Sequence, residues 1–255
     1  MAVVETELSA GVLTVTLADE ANRNALGSQL VSELVAALDR ADADPAVRVV
    51  VLTNVGKVFC AGANLSERAA ADAPAAVVDP QRLFGRFRRS PKPYVGRIAG
   101  HCVAGGMGLA AAMDISIAAD DTMFGFTEVR IGVIPAVISV VCLPKMRRTD
   151  AAAAFLRGNR FPAAEAARVG LINAAVPRDA LDAEVAAVVG DLLLGAPEAI
   201  AQAKQLLAQV PAMPVDEAFA FTGELSARLF KSDEAREGIT AYLEKRSPSW
   251  APRAQ

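Results

Sequence analysis

Between Gly100 and Pro135 the chain reads GHCVAGGMGLAAAMDISIAADDTMFGFTEVRIGVIP. Two groups there can do chemistry. One is the glycine-rich turn Gly105-Gly106-Met107-Gly108. The other is a single carboxylic acid, Glu128, set among apolar neighbours. Main-chain N–H groups in the first turn of a helix lack intrahelical partners, and that end of the helix dipole is positive. Such a turn can hold a developing oxyanion. An acid among apolar groups is desolvated, which raises its pKa towards values useful for moving protons. Together they point to carbonyl chemistry with no metal. Each also has a plainer reading. The turn can simply pack a helix on a sheet, and Glu128 can pair with Arg130 or begin a helix.

A second loop, Phe59 to Leu65, follows a buried apolar run and can bring the N–H of Ala63 towards the same point as Gly105. Two donors on one oxygen make an oxyanion hole, and losing one typically costs roughly 3 kcal/mol. Whether the loops meet is not written in their spacing. A rival reading comes from Gly106-Met107-Gly108-Leu109-Ala110-Ala111, which satisfies G-x-G-x-x-A with Glu128 twenty positions beyond Gly108. In a dinucleotide fold the acid closes the second parallel strand. Here the strand closes on Asp120 and Asp121, and Glu128 follows one turn later, so the match is superficial. The phosphate loop G-x-x-x-x-G-K-[ST] is absent.

These groups need elements to position them. Gly11 to Leu17 alternates and reads as a strand, and Leu30, Leu34 and Leu38 form one stripe of a helix from Ser28. Val47 to Thr53 is a strand buried on both faces. Ala69 to Pro80 reads as a mobile Ala/Asp/Pro-rich stretch, followed by a helix that Pro91 and Pro93 stop at Arg89. Tyr94 to Ala99 and Ile115 to Ala119 are strands flanking a helix over Gly105 to Met113. Helices are predicted over Asp150 to Arg157, Ala163 to Val169, Leu181 to Leu194, Pro197 to Val210, Val215 to Leu229 and Ser232 to Lys245, with an extended piece at Asn173 to Val176. Strands and helices alternate first and helices cluster last, an α/β core with a helical C-terminal region. No sequence repeat is evident.

The 255 residues suffice for a sizeable core, and 53% apolar content is globular. The formal charge of −3 argues against phosphate-driven nucleic-acid binding. Arg86, Arg88 and Arg89 read as a solvated helix face. No apolar run reaches the roughly 18 residues of a membrane span, and no secretory leader is apparent. Cys60, Cys102 and Cys142 fit no metal or disulfide spacing, which predicts small buried side chains and a reducing cytoplasm. His101 is the only histidine, a poor basis for a triad or a histidine metal site.

Taken together, these segments resemble the crotonase superfamily, the enoyl-CoA hydratase/isomerase family, over almost the whole chain. Asn22-Arg23-Asn24-Ala25-Leu26 resembles the loop that helps hold coenzyme A. Phe59 to Leu65 resembles the first oxyanion loop, with Asn64 where an Asp is usual. Gly100 to Asp114 resembles the second, and Phe124 to Pro135 the catalytic-acid segment. Glu237 to Arg246 resembles the C-terminal helix. The resemblance implies a spiral of ββα turns over residues 1–195 carrying the active site, then a helical trimerisation region over 196–255. It implies homotrimers that pair into hexamers, and no cofactor beyond the coenzyme A of the substrate.

Carried over residue by residue, the resemblance gives Ala63 and Gly105 as the oxyanion hole for an acyl-CoA thioester and Glu128 as the general acid/base. Arg23, Ala25, Ala61, Asn64 and Leu65 would contact coenzyme A. The second hydratase glutamate falls at Gly108, which has no proton to exchange. Its place is expected to be a gap that Cys142, Ser139 or a water fills. The combination is similar to bacterial members assigned as methylglutaconyl-CoA hydratase-like. The expected reaction is hydration of a 2-enoyl-CoA. The alternatives are a one-glutamate double-bond isomerase and a non-catalytic acyl-CoA-binding protein.

Overall fold

The computed structural model describes residues 2–69 and 79–252. Most of the Ala/Asp/Pro-rich stretch expected to be mobile lies outside the described residues. The chain opens with a hairpin, β1 (Val4–Ser9) and β2 (Val12–Leu17), and then α1 (Ser28–Ala43). Next come β3 (Val49–Asn54), β4 (Val58–Cys60) and the short helices α2 (Leu65–Arg68), α3 (Pro80–Leu83) and α4 (Gly85–Arg89). β5 (Tyr94–Ile98) and β6 (His101–Val103) lead into α5 (Gly105–Ala112). β7 (Ile115–Ala119) and β8 (Met123–Gly125) lead into α6 (Ala136–Cys142) and α7 (Arg148–Arg157). β9 (Phe161–Pro162), α8 (Ala163–Arg168) and β10 (Ala174–Val176) precede the run α9 (Leu181–Leu194), α10 (Pro197–Gln209), α11 (Val215–Leu229) and α12 (Asp233–Leu243).

Each pair β3–β4, β5–β6 and β7–β8 sends its first strand to one sheet and its second to another, and helices follow. The larger sheet has the order β1-β2-β3-β5-β7-β10, parallel except for the β1–β2 hairpin. The smaller has the order β4-β6-β8-β9, parallel until β9. This is a spiral of ββα turns with helices at the C-terminal end, as the resemblance implied. The turns repeat in space although their residues do not.

Apolar side chains on both faces of β3 explain the two layers. Val50 and Leu52 join one core with Leu30, Leu34 and Leu38 of α1. Val49 and Val51 face the other way, into a second core with Leu181, Val185 and Val189 of α9. Fully burying such a side chain is worth about 1.5–3 kcal/mol, so each strand residue on either face contributes.

Several elements differ from the sequence reading. β4, β6 and β8, three residues each, are not among the expected strands; runs this short carry no alternation to detect. β1 was not expected because it is an edge strand with mostly exposed side chains. α6 was missed because AVISVVC lacks a polar face in sequence, yet it covers the helix α5. Arg86 is a correction to the solvated face: it is buried, with Nη1 2.7 Å from Asp39 Oδ1 and Nη2 2.8 Å from Asp42 Oδ2.

α10 is fastened to the core by a charge. Lys204 is buried, and its Nζ donates to Asp114 Oδ2 at 2.7 Å, Lys92 O at 2.6 Å and Phe87 O at 3.0 Å. The same Asp114 oxygen accepts from the Tyr94 N–H at 2.7 Å. Removing one partner of a buried pair typically costs about 3–5 kcal/mol. Lys204→Met is therefore expected to lower the free energy of unfolding by that amount in a denaturant titration.

Candidate active site

The first loop is held by its neighbours on the α1 side. Leu26 N donates to Gly62 O at 2.6 Å, Ala61 N donates to Arg23 O at 3.2 Å, and Leu26 bridges Ala63. The buried Asn24 donates from Nδ2 to Val58 O at 2.7 Å and accepts from Asp19 N at 2.8 Å. Asn64 caps α2, accepting from the Ser66 and Glu67 N–H groups, and Glu67 in turn accepts from Ser28 N and Oγ. The loop is thus tied at both ends to the start of α1.

The second loop begins α5. Ala104 precedes the helix at φ 49°, and its N–H donates to Gly125 O at 2.9 Å. That bond joins α5 to the end of β8. Two residues beyond Phe124, Phe126 is fully buried against Phe155, with ring centroids 4.1 Å apart. Glu128 follows, at the start of a 3-10 turn over Glu128–Ile131.

The two loops touch. A Cβ on Gly62 would stand 2.6 Å from Ala104 Cβ and 2.9 Å from Gly105 N. Gly62 sits at φ +88°, where a side chain is strained as well. Neither the Ala63 nor the Gly105 N–H donates to a main-chain acceptor among the described residues. Both residues line one pocket of about 350 Å³, together with Glu128. One face of the pocket is apolar, built from Ile131, Val133, Ile134 and Val137.

Glu128 does not pair with Arg130, whose Nη2 donates to Arg157 O instead. Its Oε2 is buried without a hydrogen-bond partner. Burial pushes its carboxyl above the ordinary glutamate range, and a main-chain hydrogen bond offsets that only in part. The group is a desolvated acid facing a cavity, suited to taking and returning a proton.

Of the expected coenzyme A contacts, Ala61 and Leu65 line the pocket. Arg23 is exposed, Ala25 is buried, and the Asn64 side chain is engaged in capping. The gap expected at Gly108 is not there. A Cβ on Gly108 would lie 2.4 Å from Ile138 Cγ2 and 2.8 Å from Phe84 Cε1. Ser139 Oγ donates to Ala136 O and Cys142 Sγ to Met107 O, so neither takes that place. Sequence reading missed Ile138 and Phe84, because both stand on or beside short helices far from Gly108 along the chain. The three cysteines are buried, and burial pushes the Cys60 and Cys142 thiols up to about 12.

The profile of the enoyl-CoA hydratase/isomerase family matches residues 7–253. The chain belongs to the enoyl-CoA hydratase/isomerase family. It is an enzyme of the crotonase superfamily. A putative enoyl-CoA hydratase of Thermus thermophilus is 35% identical over 243 residues, 93% of this chain and 96% of the relative. The 2,3-dehydroadipyl-CoA hydratase of Escherichia coli is 30% identical over 244 residues, 95% of this chain and 96% of the relative. The crystal structure of a Mycobacterium smegmatis enoyl-CoA hydratase superposes with a TM-score of 0.90 at 29% identity, covering 97% of this chain and 98% of that one. Among the described residues of this family member, no helix is long and apolar enough to cross a membrane.

Proposed function

We propose that the pocket binds an acyl-CoA thioester, holds its carbonyl oxygen on the Ala63 and Gly105 N–H groups, and uses Glu128 as the general acid/base. The observation that carries this reading is the unpartnered, buried Glu128 oxygen in the same pocket as two unengaged amides from touching loops. Hydrogen bonds to the thioester oxygen stabilise the enolate, which acidifies the α-carbon. The names of the relatives support hydration of a 2-enoyl-CoA as the reaction. In that reaction Glu128 takes a proton from water as the water oxygen bonds to C3, and the resulting enolate regains the proton at C2. No cofactor is needed beyond the coenzyme A of the substrate. Coenzyme A would be contacted by Arg23, Ala25, Ala61, Asn64 and Leu65.

A second reading is double-bond migration, in which Glu128 takes a proton from C2 of a 3-enoyl-CoA and returns it to C4. The apolar surroundings of Gly108 favour it, because Glu128 is the only carboxyl lining the pocket among the described residues. Initial rates on a 2-enoyl-CoA and a 3-enoyl-CoA of equal chain length separate the two. Water uptake on the first supports hydration, and migration without water uptake selects the isomerase. Tight acyl-CoA binding with turnover of neither would reject catalysis.

The spiral over 1–195 would carry the chemistry and residues 196–255 would mediate assembly into a homotrimer or a pair of trimers. Exposed Val215, Phe219, Phe230 and Tyr242 on and beside the last helices support an assembled form. A cytoplasmic location fits the three unpaired thiols.

A further inference from the structure

Gly108 is buried inside α5, and its missing side chain is compensated from two other elements. Ile138 of α6 is 4% exposed and Phe84, just before α4, is 8% exposed. Both reach the space that a side chain at 108 would take, and both line the pocket that holds Glu128. The contact is too close for even a methyl group at 108 unless Ile138 or Phe84 shifts. An acid restored there by one substitution therefore forces Ile138 or Phe84 to move. The neighbouring hydroxyl and thiol, Ser139 and Cys142, are turned to main-chain oxygens and offer no polar atom in exchange.

We propose that Ile138 and Phe84 form an apolar plug over Gly108 that sets the partition of this enzyme between water addition and double-bond migration. The inference rests on the acyl-CoA reading above and deepens it. Hydration needs a water held against C3 through the transition state, and an apolar wall supplies no hydrogen bond to hold it. Migration needs only the carboxyl of Glu128, which removes one proton and returns it. The plug leaves the attacking water to Glu128 with no second polar group at position 108, which weakens water addition relative to migration.

The experiment measures hydration and migration rates on matched 2-enoyl- and 3-enoyl-CoA thioesters for the wild-type chain and four variants. These are Ile138→Ala, Phe84→Leu, the pair Gly108→Glu with Ile138→Ala, and Glu128→Gln as the reference for background. Opening the plug is expected to raise the hydration-to-migration ratio about fivefold or more in Ile138→Ala, and further in the paired variant. Phe84→Leu opens the same space from a different element, so it gives the answer if Ile138→Ala does not fold. A ratio that stays at the wild-type value while Glu128-dependent turnover persists overturns the plug and leaves the acyl-CoA reading standing. Absence of Glu128-dependent turnover of either thioester rejects that reading, and the plug with it.

Discussion

Replacing Glu128 with Gln is expected to lower turnover of the preferred enoyl-CoA by about 10²–10⁴-fold, the usual contribution of a positioned acid or base. The amide keeps the shape of the side chain but cannot carry a proton between carbons. The fold should tolerate it, because Oε2 has no hydrogen-bond partner to lose. Burial raises the folded-state pKa above the 4.5 of an ordinary glutamate. The stability that this group contributes is full below the unfolded value and is lost as pH rises through the folded one. Removing the charge should therefore leave the melting temperature at neutral pH unchanged or raise it. Catalysis runs the other way. The base form is needed for proton abstraction, so kcat/KM should climb with pH through a value above 4.5 in the wild type, and this limb should vanish in Glu128→Gln. Unaltered kcat and an unaltered pH profile in Glu128→Gln would remove this carboxyl from the chemistry.

The second large effect is expected from Gly62→Ala. The added methyl meets Ala104 Cβ and the Gly105 amide at less than van der Waals separation, at a backbone conformation of φ +88°. Relief requires the two touching loops to move apart. Loss of one oxyanion donor typically costs about 10²–10³ in kcat, and this change would displace both proposed donors, the Ala63 and Gly105 amides. Adopting this conformation with a Cβ adds a folding cost of about 1–3 kcal/mol. The separation of kcat from KM is the decisive measurement. The walls of the pocket survive, so thioester binding should weaken much less than turnover. An equal loss in both, or none in either, would mean that the amides do not converge on the reacting oxygen.

Much of the framework was legible because its signals are local. The unbroken apolar run at Val49 to Leu52 and the leucine stripe at 30, 34 and 38 announce a buried strand and its covering helix. The last helices also fell within a residue or two of their ends. What was not legible depends on contact between distant segments. Three-residue strands acquire their identity from partners: Cys102 pairs with Cys60 on one side and Phe124 on the other. The meeting of Gly62 with Ala104 and Gly105 was a possibility in the spacing and a contact only in three dimensions. The place beside Gly108 was the clearest miss. A glycine in a sequence reads as empty space, but close packing draws side chains in from elsewhere to fill it. The buried Arg86 failed for a related reason, since its carboxylate partners lie more than forty residues away on α1.

Because β3 presents valine or leucine to both faces, sliding it by one residue would exchange one apolar set for another at little cost, and hydrophobic matching alone leaves its alignment open. Its polar end removes the ambiguity. Thr53 Oγ1 donates to Arg97 O, and Asn54 Oδ1 accepts from Ala99 N, both bonds reaching to the β5 segment. A slipped strand would strand these groups without partners away from water. Thr53 and Asn54 thus act as an index mark for the strand, and the amide of Ala63, carried a few residues downstream, inherits its position from them.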